Sequence, residues 1–209
     1  MEDFEKKVSL EERRNAKEEI AKQSELLEFL RRFLVVQHRR AEAYAKLKRG
    51  FSEYTASGNE LAYQQLCAEI TADFNDCSKQ VIEMESQLRK PDYGRDDLAQ
   101  LLRAVQIQEK EKLHLTATIQ VLKKAGRPSE RIVSHDRCKF RTSLEHECVH
   151  VHEITEASGT EDAEADAEYD NALNEAIRGV QHSVTVINEH LEEVQYEIAA
   201  LESDVGTIT

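Results

Sequence analysis

From Ser9 to Arg49 the chain contains neither glycine nor proline, the residues that most often punctuate a helix. That predicts one long helix before any other feature is considered. Ser9-Leu10-Glu11-Glu12 has the form of a capping box, which satisfies free backbone donors at a helix start. Leu27, Leu30, Leu34, Gln37, Ala41, Tyr44, Lys48 and Phe51 recur at three- and four-residue intervals. Such spacing gathers side chains onto one stripe, with polar and charged breaks in it here. Gly58 is the expected terminator, and Gly50 falls before it as either a break or an interior glycine. A helix of about 45 residues would be roughly 65 Å long at 1.5 Å per residue.

Three further stretches follow the same pattern. Asn59 can cap a second helix with the seam Cys67, Ile70, Phe74, Cys77, Val81, Met84 and Leu88. Lys90-Pro91 stops it, because proline disfavours helix in the residue before it. A third helix starts near Asp96 or Asp97, with the seam Leu98, Leu101, Val105, Gln108, Lys112, Leu115, Ile119 and Leu122. Gly126 sits at its expected C-terminal cap. A fourth starts within the acidic run 161–170, whose charges suit a helix N-terminus. Its seam is Leu173, Ile177, Val180, Val184, Ile187, Leu191, Val194, Ile198 and Leu201.

A helix with one apolar stripe must bury it against a neighbour, and short links favour antiparallel neighbours. The expected fold is therefore all-α, an elongated antiparallel helical bundle with coiled-coil packing. The expected divisions are a disordered N-terminus over 1–8, three helices over 9–126, a loop or hairpin cap over 127–160, the fourth helix over 161–204 and a tail over 205–209. Composition agrees: only 7 glycines and 2 prolines, with 33% charged residues, argue against a barrel or sandwich.

Charge narrows the choice of partner. The net charge is −13, and residues 153–209 hold nearly all of it, with 15 acidic residues against Arg178. The opposite sign gathers at 31–49, where Arg31, Arg32, Arg39, Arg40, Lys46, Lys48 and Arg49 face only Glu42. That run invites a phosphate-binding reading. The rival is internal pairing with Glu189, Glu192, Glu193, Glu197 and Glu202 of the fourth helix. Internal pairing is favoured, since the acidic chain as a whole would repel DNA. Protein partners are expected rather than nucleic acid, with self-association into a homo-oligomer as a further option. No run of 18 apolar residues suggests a membrane span, and the N-terminus lacks the apolar stretch of a secretory signal. The cysteines at 67, 77, 138 and 148 are then expected as reduced thiols in the nucleus or cytoplasm. Cys67 and Cys77, on the second seam, read as small core residues.

One string carries potential chemistry. His146-Glu147-Cys148-Val149-His150 matches H-E-x-x-H, which on a helix places two zinc ligands on one face and a general base between them. Its surroundings argue otherwise. Val149, Val151 and Ile154 alternate with polar residues, a strand pattern. Glu153 and Glu156 stand where a metzincin would carry glycine and histidine. The string is read as a chance match, and a zinc-dependent hydrolase as a remote alternative. On a strand, His146, Cys148, His150 and His152 share one side. A structural zinc site from His135, Cys138, Cys148 and His150 would have suitable ligand types, though not the usual finger spacing. No other cofactor is expected, and no glycine-rich phosphate loop or Ser-His-Asp arrangement stands out.

Several segments are familiar together: Phe33-Leu34-Val35-Val36-Gln37-His38-Arg39-Arg40-Ala41-Glu42-Ala43-Tyr44, Arg137-Cys138-Lys139-Phe140, the run from Glu147 to Glu156, and Asn188-Glu189-His190-Leu191-Glu192-Glu193-Val194-Gln195-Tyr196-Glu197. The set resembles the "required for excision" B-type family, small eukaryotic proteins named for a genetic link to DNA repair. The likeness spans about residues 25–203. It implies a part in the repair of damaged DNA. It implies no reaction and no catalytic residues. The expected function is thus a non-enzymatic helical adaptor associated with repair. The alternative is a structural coiled-coil component of a cytoskeletal or ciliary assembly.

Overall fold

A computed structural model describes residues 2–130 and 156–207. The fold is an all-α helical bundle. Its helices are α1 (Glu2–Ser57), α2 (Glu60–Leu88), α3 (Asp96–Ala125) and α4 (Glu156–Thr207), with a short 3-10 turn at Pro128–Glu130. No strand occurs among the described residues.

The turns follow from local chemistry. Gly58 adopts a left-handed φ of 71°, which side-chain-bearing residues resist, and its N–H donates to the carbonyl of Tyr54 at 2.8 Å. Asn59 then caps α2, its side-chain oxygen accepting from the Ala62 N–H at 3.2 Å. α3 ends in the same manner, with Gly126 at φ 71° donating to the Leu122 carbonyl at 3.1 Å.

Two boundaries differ from the sequence expectation. α1 already includes the residues before Ser9 and passes through Gly50 without a break. The capping-box residues are therefore interior, in a stretch rich in strong helix formers such as Glu and Lys. α4 starts at Glu156, inside the segment assigned on sequence to the cap. The remainder of that cap, 131–155, lies outside the described residues.

The chain divides into two compact units, residues 1–111 with 183–209, and residues 112–182. The first holds the main core. From α1 it takes Leu26, Leu30, Phe33 and Val36, from α2 Cys77, Val81, Met84 and Leu88, from α3 Leu98, Leu102 and Val105, and from α4 Ile187, Val194 and Leu201. Burying one such aliphatic or aromatic side chain contributes about 1.5–3 kcal/mol, which is why these positions hold the fold. α1 and α2 run antiparallel, as the pairs Arg32–Gln80 and Arg39–Asp76 show. In the second unit, Gly179 of α4 is pressed by Leu115 of α3, whose Cδ1 would lie 2.6 Å from an added Cβ. There Asp166 accepts from both the N–H and the hydroxyl of Ser129, at 3.0 and 2.6 Å, and Arg127 pairs with Asp170. Ser129 holds the Asp166 carboxyl below its ordinary value.

The α2 seam predicted from sequence is the buried one, except that Cys67 is only half-buried. The α1 and α3 seams are rotated. Buried α1 positions include Leu27 and Leu30 of the expected seam, but also Leu26, Phe33, Val36, Gln37, Arg40, Ala43 and Leu47, whereas Ala41 and Lys48 are exposed. Buried α3 positions are Leu98, Leu102, Val105 and Glu109, so Glu109 replaces Gln108. In both helices a charged residue occupies a core position. On α4, Val184 is 36% exposed, while Ser183 beside it is buried.

Candidate functional site

The rotated seams bring polar side chains into the bundle interior. Arg40 is 1% exposed and Gln37, one turn before it, 7%. A heptad phase explains why they enter. Leu26, Phe33, Arg40 and Leu47 lie seven residues apart, as do Leu30, Gln37 and Tyr44. A side chain seven residues on returns to nearly the same face. The backbone therefore delivers Arg40 to the core whatever its charge.

Its neighbours accommodate it. The Arg40 Nη2 donates to Gln106 Oε1 of α3 and, at 3.4 Å, to Ser78 Oγ of α2. Burial pushes the guanidinium below its ordinary value, and the charge of Glu109 partly offsets that effect. Tyr44 closes the layer: its hydroxyl donates to the Glu109 carbonyl at 3.2 Å, and its ring meets Phe74 edge-on at 4.7 Å. Burial, reinforced by Glu109, pushes the Tyr44 phenol well above its usual range. Cys77 lies in the same layer, and burial pushes its thiol up as well. Three helices thus meet through a cation, an acid, a phenol and the Gln106 amide, while both amide atoms of Gln37 and the Arg40 Nε and Nη1 are buried without a hydrogen-bond partner among the described residues.

The rest of the basic run is divided among neighbours. Arg31 pairs with Glu202 of α4 at 2.6 Å. Arg39 pairs with Asp76 of α2 at 2.8 Å and with Asp73 at 3.7 Å. The hydrogen bond to Asp76 raises the Arg39 guanidinium and lowers the Asp76 carboxyl. Arg32 reaches Gln80. Lys46, Lys48 and Arg49 remain on the surface. The internal pairing expected from sequence is present at Glu202. Glu197 instead receives Arg95 of α3 at 2.8 Å, and Arg95 also binds Asp97. Both contacts hold the Arg95 guanidinium above its ordinary value.

The zinc ligands suggested by the sequence, His135, Cys138, Cys148 and His150, lie outside the described residues, as does the whole H-E-x-x-H string. Among the described residues no three His, Cys, Asp or Glu side chains form a metal site. No described helix is long and apolar enough to cross a membrane. The layer around Arg40 is the feature that sequence reading missed. Its signals were the polar breaks Gln37 and Gln108 in the α1 and α3 seams, which marked the right level of the bundle.

Residues 28–123 match the DNA repair REX1-B family. It is the family that the sequence resembles. The REX1-B match takes in every residue of the Arg40 layer and the basic run beside it. Of the four segments that carry the resemblance, Phe33–Tyr44 falls inside it. No curated protein and no solved structure matches the chain.

Proposed function

We propose that this protein acts in DNA repair as a non-enzymatic helical adaptor, working through protein partners in the nucleus or cytoplasm. The REX1-B match supports the link to repair through the family's name. The observation that carries the indirect role is the fate of the basic run. Three of the run's seven cations are withdrawn, Arg31 and Arg39 to carboxylates of α4 and α2 and Arg40 by burial, while Arg32, Lys46, Lys48 and Arg49 stay at the surface. Phosphate binding draws its affinity from cations that release counterions on contact. Cations already neutralised within the bundle contribute little of that affinity. The net charge of −13 opposes a DNA approach further.

Cells lacking the protein and complemented with wild type or Glu147→Gln test this reading. The substitution keeps the histidines of the H-E-x-x-H string and removes its only general base. Both forms should restore survival after DNA damage, and captured partners should change with damage. Failure of a folded Glu147→Gln protein to rescue would overturn the non-enzymatic reading. A partner set that is cytoskeletal and indifferent to damage would overturn the repair reading.

A further inference from the structure

The turn between α1 and α2 carries an aromatic cluster that the Arg40 layer does not use. Tyr54 and Tyr63 stack with centroids 5.0 Å apart and planes 15° from parallel, and Phe51 stands 5.8 Å from Tyr63. Beside them is a recess of about 270 Å³, lined by Gly50, Glu53, Tyr54, Asn59, Tyr63 and Leu66 among others. Gly50 makes the closeness of the helices permissible, since an added Cβ would lie 2.0 Å from Leu66 Cδ2.

The polar groups of this turn are largely consumed. The Asn59 side chain caps α2, and the Ser57 hydroxyl donates to the Glu53 carbonyl at 2.7 Å. The Tyr63 hydroxyl is engaged with Cys67, and burial together with that contact pushes the phenol up. The Glu53 carboxylate is different. It is exposed, makes no ion pair among the described residues, and is the one charged side chain in the lining. Arg49, one turn earlier and at a spacing that allows pairing, does not take it.

We infer that this recess receives an arginine side chain from a basic segment of a protein partner. An aromatic ring attracts a cation over its face, and a carboxylate alongside fixes the charged end. Arginine suits the site better than lysine, because its flat guanidinium stacks on rings and binds carboxylate in the same plane. This deepens the adaptor reading and rests on it, but its test needs no repair phenotype.

The test titrates the full chain, carrying ¹³C-labelled tyrosine, with a twelve-residue peptide of alternating arginine and glycine. A matched peptide has citrulline in place of arginine. Tyr54 and Tyr63 ring resonances should shift saturably with the arginine peptide and not with its neutral counterpart. Glu53→Gln should weaken binding about tenfold, and Tyr54→Leu should do at least as much. Glu83→Gln, an exposed acid on α2 outside the recess, should leave the affinity unchanged. Circular dichroism confirms that each variant folds. Equal binding of the citrulline peptide, or equal losses from Glu53→Gln and Glu83→Gln, would overturn the proposal. So would the absence of any saturable shift. None of these results would alter the complementation outcome that tests the repair role.

Discussion

Two stretches of the same bundle obey one geometry with opposite chemistry. Around Phe33, the positions that face inward hold Leu26, Leu30, Val81, Met84, Leu88, Leu98 and Leu102. One to three turns further along α1, the same heptad phase delivers Gln37, Arg40 and Tyr44, of which Arg40 meets Ser78 and Gln106 and Tyr44 meets Glu109. The apolar stretch gains from each buried surface, whichever partner supplies it. The polar stretch gains only when each group meets its own partner. Burial of a charge costs more than its hydrogen bonds return unless the match is good. The first stretch therefore supplies stability, and the second supplies alignment.

The most severe way to disturb this contrast is in the apolar stretch. Phe33 is 0% exposed, and Phe33→Ala should cost about 4 kcal/mol through lost transfer and the cavity left behind. Urea unfolding followed by circular dichroism measures it. The polar stretch answers differently. Arg40→Leu should cost about 3 kcal/mol, because it removes a buried guanidinium that donates to Gln106 and Ser78 and whose charge Glu109 favours. Adding Glu109→Leu to it should return much of that loss, since the acid then no longer needs a partner. If the double variant is as unstable as the sum of the two single ones, the charges do not act on each other and the alignment role fails.

The contrast also decides what could be read from sequence. α2 was legible because Ile70, Phe74, Cys77, Val81, Met84 and Leu88 are apolar and their spacing admits one phase. On α1 two phases compete. Leu30, Gln37 and Tyr44 belong to either, and the other half is Leu27, Leu34 and Ala41 or Leu26, Phe33 and Arg40. A reading that places charges outside chooses Ala41; the structure buries both Leu26 and Leu27 but, further along, Arg40 and not Ala41. Glu109 misleads in the same way on α3. Hydrophobic patterning cannot reveal two charges that enter a core together, because each looks wrong alone. Turn chemistry was direct where a link is present, at Gly58, Asn59 and Gly126, but the capping box at Ser9 lies inside its helix.

Glu85 provides an intermediate case. Its side chain is 12% exposed, yet it accepts from Arg89 at 2.8 Å and Arg103 at 3.3 Å, whose own side chains reach solvent. Glu85→Gln should cost only about 1 kcal/mol, because both arginines can turn to water. A loss approaching that of Arg40→Leu would mean that solvent access of the partner does not govern the penalty.

The smallest effect belongs to the exposed pair of Arg39 and Asp76, next in sequence to two residues of the polar stretch. Asp76 accepts from Arg39 and, at 2.8 Å, from Gln80, and its carboxyl is held below the ordinary 3.8. A lowered carboxyl stabilises the fold where it is ionised in both folded and unfolded chains, above 3.8. That contribution is lost as pH falls through the folded value, because the unfolded chain takes up its proton first. Asp76→Asn should therefore be slightly less stable than wild type at neutral pH, and the difference should vanish in acid. It should also shrink in 1 M salt, where screening acts within about 3 Å. Arg40→Leu should keep its effect in 1 M salt, since water does not reach its guanidinium. Parallel salt series on the two variants would separate a surface pair from a buried one. Matching curves would mean that their difference in burial has no energetic consequence.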